Sequence, residues 1–311
     1  MIAPLARRLV RIGLAASFVA GLAGVAGLAG AAACSGSSSS KAAAGFAKDS
    51  STLVYGVVPD RASVQQNYQP LRDYVEKISG LKVEYHEAAD YTALIEAAVA
   101  GKVDIASFSA FTYVTARNNG AKITPFVSII LKAGQPPGYY WEAIAPAASA
   151  VSSIADFAGK KVCFVTPTST SGYLFPSYVL LNAGIDPQKG VTPVFAGKHD
   201  AAALKVSQGV ECDVGFAEDT AVDNQPGLKV IAKAMVPGEP VVVSDALPAE
   251  LKHKLVAGLT GLTIDQIRAA GIPGADSDGF KAVFHALSPV DDKYYDQIRD
   301  ICKATRAPQC Q

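Results

Sequence analysis

Beyond residue 50 the chain switches repeatedly between the two hydrophobic periods that mark strands and helices. Leu53–Val58 is a β-rich run stopped by Pro59. Pro70 opens a stretch in which Leu71, Tyr74, Val75 and Ile78 fall on one helical face, and Gly80 closes it. Val83–Glu87 reads as a short strand. Asp90 is placed to cap a second helix, with Tyr91, Leu94, Ile95, Ala98 and Val99 inward and Gly101 at its end. Val103–Phe108 reads as a buried strand, followed by a helix to Gly120. This βαβαβα order predicts an α/β unit with a mostly parallel sheet.

The pattern restarts near Tyr139. Trp141–Ala145 and Lys161–Val165 read as strands on either side of a short helix, Ile154–Phe157. Ser171–Ala183 is helical up to Gly184, and Pro176 either starts the regular helix or kinks it. Val191–Phe195, Cys212–Phe216 and Lys229–Ala232 predict strands, and Asp200–Ser207 a helix. Val241–Ser244 reads as a return crossing. Residues 248–304 predict helix, with Leu251, Leu255 and Leu259 on one face and Tyr294, Ile298 and Ile301 on another.

The two halves echo each other. Ala97–Phe108 and Val206–Phe216 both run helix, Gly, Asp, strand, aromatic, with gaps from Gly to Asp that differ by one residue. Two similar lobes joined by crossing strands describe a hinge-closing binding protein. Lobe 1 is assigned residues 52–138 plus 245–311, and lobe 2 residues 139–244. Ligands of such folds sit beyond the carboxyl ends of the strands. Those ends are Val58-Pro59, Phe108-Ser109, Thr166–Ser171 and Phe216–Asp219.

The N-terminus follows a different pattern. Arg7, Arg8 and Arg11 precede an uncharged run of 22 residues, Ile12–Ala33, and Ala31-Ala32-Ala33-Cys34 ends it. This reads as an export signal over 1–33, with small residues before Cys34 resembling a bacterial lipobox. Lipidation of Cys34 is favoured over plain cleavage after an A-x-A site or an uncleaved anchor. The Arg7-Arg8 pair leaves Sec and twin-arginine export open. Residues 34–51, rich in Ser and Ala, read as a lipidated tether. The product is expected at the outer face of a bacterial cell membrane.

Charge and cysteine usage narrow the function classes. The whole chain balances 28 Lys+Arg against 28 Asp+Glu. The signal removes three arginines and no acid, which leaves 25 basic and 28 acidic residues, a net −3. No basic excess exists for nucleic acid, and any bound anion must be held by local donors. The mean hydropathy of +0.21 owes much to the signal. Besides Cys34, the cysteines are Cys163, Cys212, Cys302 and Cys310, which allow three pairings. Cys163 and Cys212 sit in candidate neighbouring strands, and Cys302 and Cys310 flank a turn with Pro308. These are the favoured pairs in an oxidising compartment. No C-x-x-C, P-loop or H-E-x-x-H is present, so no metal or cofactor is expected.

Thr166-Pro-Thr-Ser169-Thr170-Ser171-Gly172 carries the sharpest local chemistry, with its hydroxyls at a helix N-terminus. Free backbone N–H groups and the positive end of the helix dipole suit a tetrahedral oxyanion there. His199 opens another helix and can donate to an oxyanion. Glu218, Asp219 and Glu239 could hold a ligand ammonium. Ser169 or Ser171 with His199 and Asp213 could be drawn as a hydrolase triad, but no G-x-S-x-G elbow is encoded, and catalysis is not expected.

Further motifs occur in order: Pro59…Tyr68-Gln-Pro70-Leu71, Asp90-Tyr91, Gly101-Lys-Val-Asp104-Ile-Ala, Asp156-Phe-Ala-Gly-Lys-Lys-Val162, Ser169-Thr-Ser-Gly172 with Pro176, Gly197-Lys-His-Asp200 and Val236-Pro-Gly-Glu-Pro240. Over about 52–262 the series resembles the periplasmic phosphonate-binding (PhnD-type) components of ABC importers. The resemblance implies a type II-like, two-lobed periplasmic binding protein with its cleft between lobes joined by two crossing strands. It implies a monomer that captures phosphonate, phosphite or phosphate and delivers it to a permease and its ATPase. The alternative is an exported sensor of another small anion that partners a membrane receptor. The resemblance assigns Ser169, Thr170, Ser171 and His199 to the phosphorus oxygens and Phe108 to the ligand-facing aromatic. It assigns Glu239 to a ligand amine, with Glu218 or Asp219 as a second acid. Tyr55 and Tyr68 are candidates for a first-lobe tyrosine contact.

Overall fold

The computed structural model describes residues 45–60 and 64–310. The expected export signal, Cys34 and most of the expected tether lie outside the described residues. The chain runs β1 (Thr52–Val57), α1 (Val64–Asn67), α2 (Gln69–Ser79), β2 (Lys82–Glu87), α3 (Tyr91–Val99), β3 (Ile105–Ser107), α4 (Ala110–Asn118) and β4 (Ile123–Ile130). It crosses to β5 (Gly138–Pro146), β6 (Lys161–Phe164), α5 (Phe175–Asn182), β7 (Thr192–Phe195), α6 (His199–Gln208), β8 (Val214–Glu218), α7 (Asp219–Asp223) and β9 (Leu228–Pro237). It returns through β10 (Pro240–Ser244), α8 (Ala249–Leu259), α9 (Ile264–Ala269), α10 (Asp278–Val283), β11 (Ala286–Pro289) and α11 (Asp296–Thr305).

Two sheets result, ordered β11-β4-β10-β3-β1-β2 and β7-β6-β8-β5-β9. Neither is mostly parallel. The pairs β1–β2 and β1–β3 are parallel, whereas β10 runs antiparallel between β3 and β4, and β11 antiparallel to β4. In the second sheet β6 pairs parallel with β7 and β8, while β5 is antiparallel to β8 and β9. The antiparallel strands arise because each crossing enters the new lobe against its helix-connected strands. Residues 240–244 therefore belong to the first sheet, and the second lobe ends at Pro237 rather than Ser244. Two strands depart from the sequence reading. β4 contains Pro125, a residue that argues against a strand, and β11 interrupts the helical stretch expected over 248–304.

The period of two along β1 divides the first lobe's core. Leu53, Tyr55 and Val57 pack on one face with Leu71, Leu255 and Leu259, and Val54 on the other with Leu94 and Val114. Along α3, Leu94, Ile95 and Ala98 are buried, but Val99 is 43% exposed and turns outward. The second lobe packs Phe157 and Phe164 against Phe216. Helix α11 leans on α4 of the first lobe and α5 of the second, burying Ile298 and Ile301.

The sequence echo has a structural cause. Asp104 accepts the N–H of Val54 at 2.8 Å, and its own N–H donates to the Val54 carbonyl at 2.9 Å. Asp213 repeats both bonds with Lys161, at 2.8 and 2.9 Å. Each aspartate pins a helix-to-strand turn to the start of its neighbouring strand. Both favoured disulfides are formed, Cys163–Cys212 and Cys302–Cys310, each with a Cα separation of 5.6 Å.

Candidate functional site

The Ser-Thr-Ser segment follows β6. Ser169 is the N-cap, and its Oγ accepts the N–H of Gly172 at 3.1 Å. Residues Thr170–Leu174 form a π turn before α5, which begins with Pro176 in its first turn. Pro176 has no N–H to give the Gly172 carbonyl. That carbonyl instead accepts the N–H of Val165 at 3.1 Å, tying the helix start to the end of β6. A Cβ on Gly172 would lie 2.5 Å from Val165 Cβ and 2.9 Å from Ser169 Oγ, so only glycine fits. Ser169, Thr170 and Ser171 are all buried, and Ser171 Oγ faces the Tyr139 hydroxyl without a well-formed hydrogen bond. Thr170 Oγ1 accepts the N–H of Phe111, from α4 in the first lobe, at 2.9 Å.

His199 opens α6 and is 1% exposed. Its Nδ1 accepts the Glu218 N–H at 3.1 Å, so the neutral ring carries its proton on Nε2. Nε2 lies 3.5 Å from Ser169 Oγ, beside the hydroxyl cluster. The His199 N–H donates to the Asp60 carbonyl at 3.1 Å, joining the second lobe to the end of β1. Ligand atoms of Asp60, His199 and Glu218 fall within 4.8 Å of one another, a metal-like grouping. The tautomer argues against a metal: one ring nitrogen is already an acceptor and the other bears hydrogen, leaving His199 no free lone pair.

Carboxylates and phenols complete the cleft. Glu218 is 3% exposed, and Thr220 Oγ1 donates to its Oε1 at 2.7 Å. Glu239, half-buried on the crossing between β9 and β10, borders two small cavities of about 20 and about 10 Å³. Tyr68, Tyr91 and Phe108 line the first, and Tyr139 and Glu218 the second. Gly238 allows this crossing, since a Cβ there would lie 2.5 Å from Ser128 Oγ and 2.8 Å from the Pro137 backbone. The Tyr91 hydroxyl donates to Asp60 Oδ2 at 3.3 Å. Burial raises the Tyr91 phenol well above the ordinary tyrosine range, with Asp60 adding to it. Burial does the same for Tyr139, with Glu239 and Glu218 adding. Both phenols therefore stay protonated and remain donors.

The fold brings together Ser169, Thr170, Ser171, His199, Glu218, Glu239, Phe108 and Tyr68. Tyr55 stands behind the cavity wall: its hydroxyl bonds Oγ of Ser107, which lines the Glu239 cavity, at 2.9 Å, and its ring stacks on Tyr85. Burial pushes the Tyr55 phenol up to about 12, the Ser107 bond opposing and Glu239 adding. Asp219 turns to the Tyr140 N–H at 3.3 Å, leaving Glu218 as the cleft acid. Asp213 is spent on Lys161, so no triad forms with His199. Sequence reasoning missed Asp60, Tyr91 and Tyr139. Asp60 directly follows the strand end Val58-Pro59, Tyr91 reads as core from its helical spacing, and Tyr139 marks only a lobe boundary.

Two α/β lobes joined by two crossings, with three helix starts and a hydroxyl cluster facing their junction, define a hinge-closing solute-binding protein. Residues 55–287 match the family model described as "ABC transporter, phosphonate, periplasmic substrate-binding protein". The chain belongs to that family of exported transporter components. It is 35% identical over 300 residues to the phosphate-import protein PhnD of Mycolicibacterium smegmatis, covering 87% of this chain and 90% of that one. Its fold is similar to PhnD1 of Prochlorococcus marinus in complex with methylphosphonate (TM-score 0.70, 18% identity, 83% of this chain and 99% of the other). It is equally similar to the binding protein component of an ABC phosphonate transporter from Pseudomonas aeruginosa (TM-score 0.70, 24% identity, 82% and 86% covered). No helix among the described residues is long and apolar enough to cross a membrane.

Proposed function

We propose that this protein captures a small tetrahedral phosphorus oxyanion in the cleft and delivers it, as a monomer, to an ABC permease and its ATPase. The observation that carries the reading is the buried Ser169-Thr170-Ser171 cluster at a helix start, with His199 Nε2–H beside it. These donors take the phosphorus oxygens, Phe108 and Tyr68 close the pocket, and Cys34 anchors the protein by lipid at the outer face of the cell membrane. The phosphate-import relative supports inorganic phosphate among these oxyanions. A P–OH group would donate to a cleft carboxylate. The acids Glu218 and Glu239 favour a second reading, an aminated phosphonate whose ammonium they pair. Calorimetric titration of the exported protein with phosphate, phosphite, methylphosphonate, 2-aminoethylphosphonate and sulfate tests this. One-to-one binding of a phosphorus oxyanion in preference to sulfate is expected; no binding of any phosphorus ligand refutes it.

A further inference from the structure

We infer that Thr170 is a lobe-bridging residue, one hydroxyl holding the ligand oxyanion and the first lobe together, so that capture and closure are a single event. The inference rests on the oxyanion reading above. The Phe111 N–H, in the first turn of α4, donates to Thr170 Oγ1 at 2.9 Å across 59 residues of sequence, in a buried setting. A hydroxyl offers one proton and accepts through two lone pairs. With Oγ1 accepting from Phe111, its proton is left to donate, and among the described residues it donates to no protein group. Neighbouring Ser171 Oγ, fully buried, makes no well-formed hydrogen bond and has the Tyr139 hydroxyl beside it. Two buried hydroxyls with unspent protons are the donors an oxyanion would use.

Electrostatics makes the same residue the point of coupling. The start of α4 and the turn leading into α5 meet at this bond, bringing two positive helix ends together across the lobes. Like ends repel, so closure is favoured by an anion placed between them. An oxyanion accepting the Thr170 proton also polarises Oγ1, making it a stronger acceptor for Phe111 N–H. Thr112 Oγ1 adds a second bond from α4, to the Thr168 carbonyl at 3.3 Å, and fixes the register of the contact. Ser171 has no such link to the first lobe. Thr170 is therefore a positioning residue for closure as well as a ligand contact, whereas Ser171 is a ligand contact alone.

The test is an interlobe distance measured by pulsed electron spin resonance, with labels at Lys102→Cys and Lys189→Cys, both exposed and on opposite lobes. Under saturating phosphate the parent, Thr170→Ser and Ser171→Ala are expected to share one short distance. Thr170→Val is expected to retain a longer one and to release phosphate at least tenfold faster than Thr170→Ser. A Thr170→Val protein that closes to the parent distance overturns the inference. Thr170→Ala replaces Thr170→Val if the latter does not fold. A parent that binds none of phosphate, phosphite and methylphosphonate refutes the oxyanion reading. The ligand-free distances of Thr170→Val and Thr170→Ser then decide the bridge alone: a longer distance in the valine variant upholds it, and coincident distributions overturn it.

Discussion

Ser169 and Ser171 look alike in sequence but do different work, and substituting each with alanine separates the two roles. Ser169 Oγ caps its helix by accepting the Gly172 N–H at 3.1 Å. Losing such a cap costs about 1 kcal/mol, or about 2–4 °C in Tm for a chain of this size. Ser171 Oγ is buried with no well-formed hydrogen bond. Ser171→Ala therefore removes at most a weak contact with the Tyr139 hydroxyl and spares a poorly satisfied buried hydroxyl. Its Tm is expected to equal or exceed the parent's. Toward a charged ligand both serines lose a bond worth about 1.5–3 kcal/mol, a fall in affinity of about 10- to 150-fold. Thermal unfolding and calorimetric titration of the two variants provide the assay. If Ser171→Ala binds phosphate and methylphosphonate as the parent does, or loses as much stability as Ser169→Ala, the reasoning fails.

Other consequences are equally open to measurement. Glu239→Gln is expected to weaken 2-aminoethylphosphonate by about 2–5 kcal/mol and to leave methylphosphonate within twofold; an equal effect on both removes Glu239 from the amine position. Replacing the Cys163–Cys212 pair by alanines opens a loop spanning 49 residues and is expected to cost about 4 kcal/mol, against about 2.5 for Cys302–Cys310, which spans 8, both read from denaturant melts. Burial raises the Glu142 carboxyl above its usual range, with Lys233 only partly offsetting it. A raised carboxylate costs stability above its native titration and loses that cost as pH falls. Glu142→Gln is therefore expected to raise Tm at neutral pH, the gain fading on acidification; a gain constant with pH contradicts this. Intact mass of the membrane-extracted protein is expected to show a diacylglyceryl adduct on Cys34, and a soluble product starting elsewhere contradicts it.

Local pattern carried the parts of the fold that local physics decides. The face of α2 marked by Leu71 and Val75, the Asp90 cap and the Gly80 stop were all legible, because each depends on residues within one turn. The Pro176 ambiguity resolved into both options at once, a helix start preceded by an irregular turn. Which sheet β10 joins was not legible, since a strand's neighbours are set by the whole topology. The same holds for Asp60, which reaches the site only because β1 lies beside β3 in the first sheet and its end meets His199 from the other lobe. The choice between Glu218 and Asp219 turned on where β8 stops. The strand runs two residues past Phe216, which puts Glu218 at its end beside His199 and sends Asp219 into α7.

The central claim is that the Ser169–Ser171 turn and His199 hold a phosphorus oxyanion between the lobes. A crystal structure of the protein grown with phosphate or methylphosphonate tests it most directly. The account expects phosphorus-bound oxygens within about 2.5–3.2 Å of the hydroxyls of Ser169, Thr170 and Ser171 and of His199 Nε2. A ligand bound elsewhere, or within the cleft but out of reach of these four groups, contradicts it.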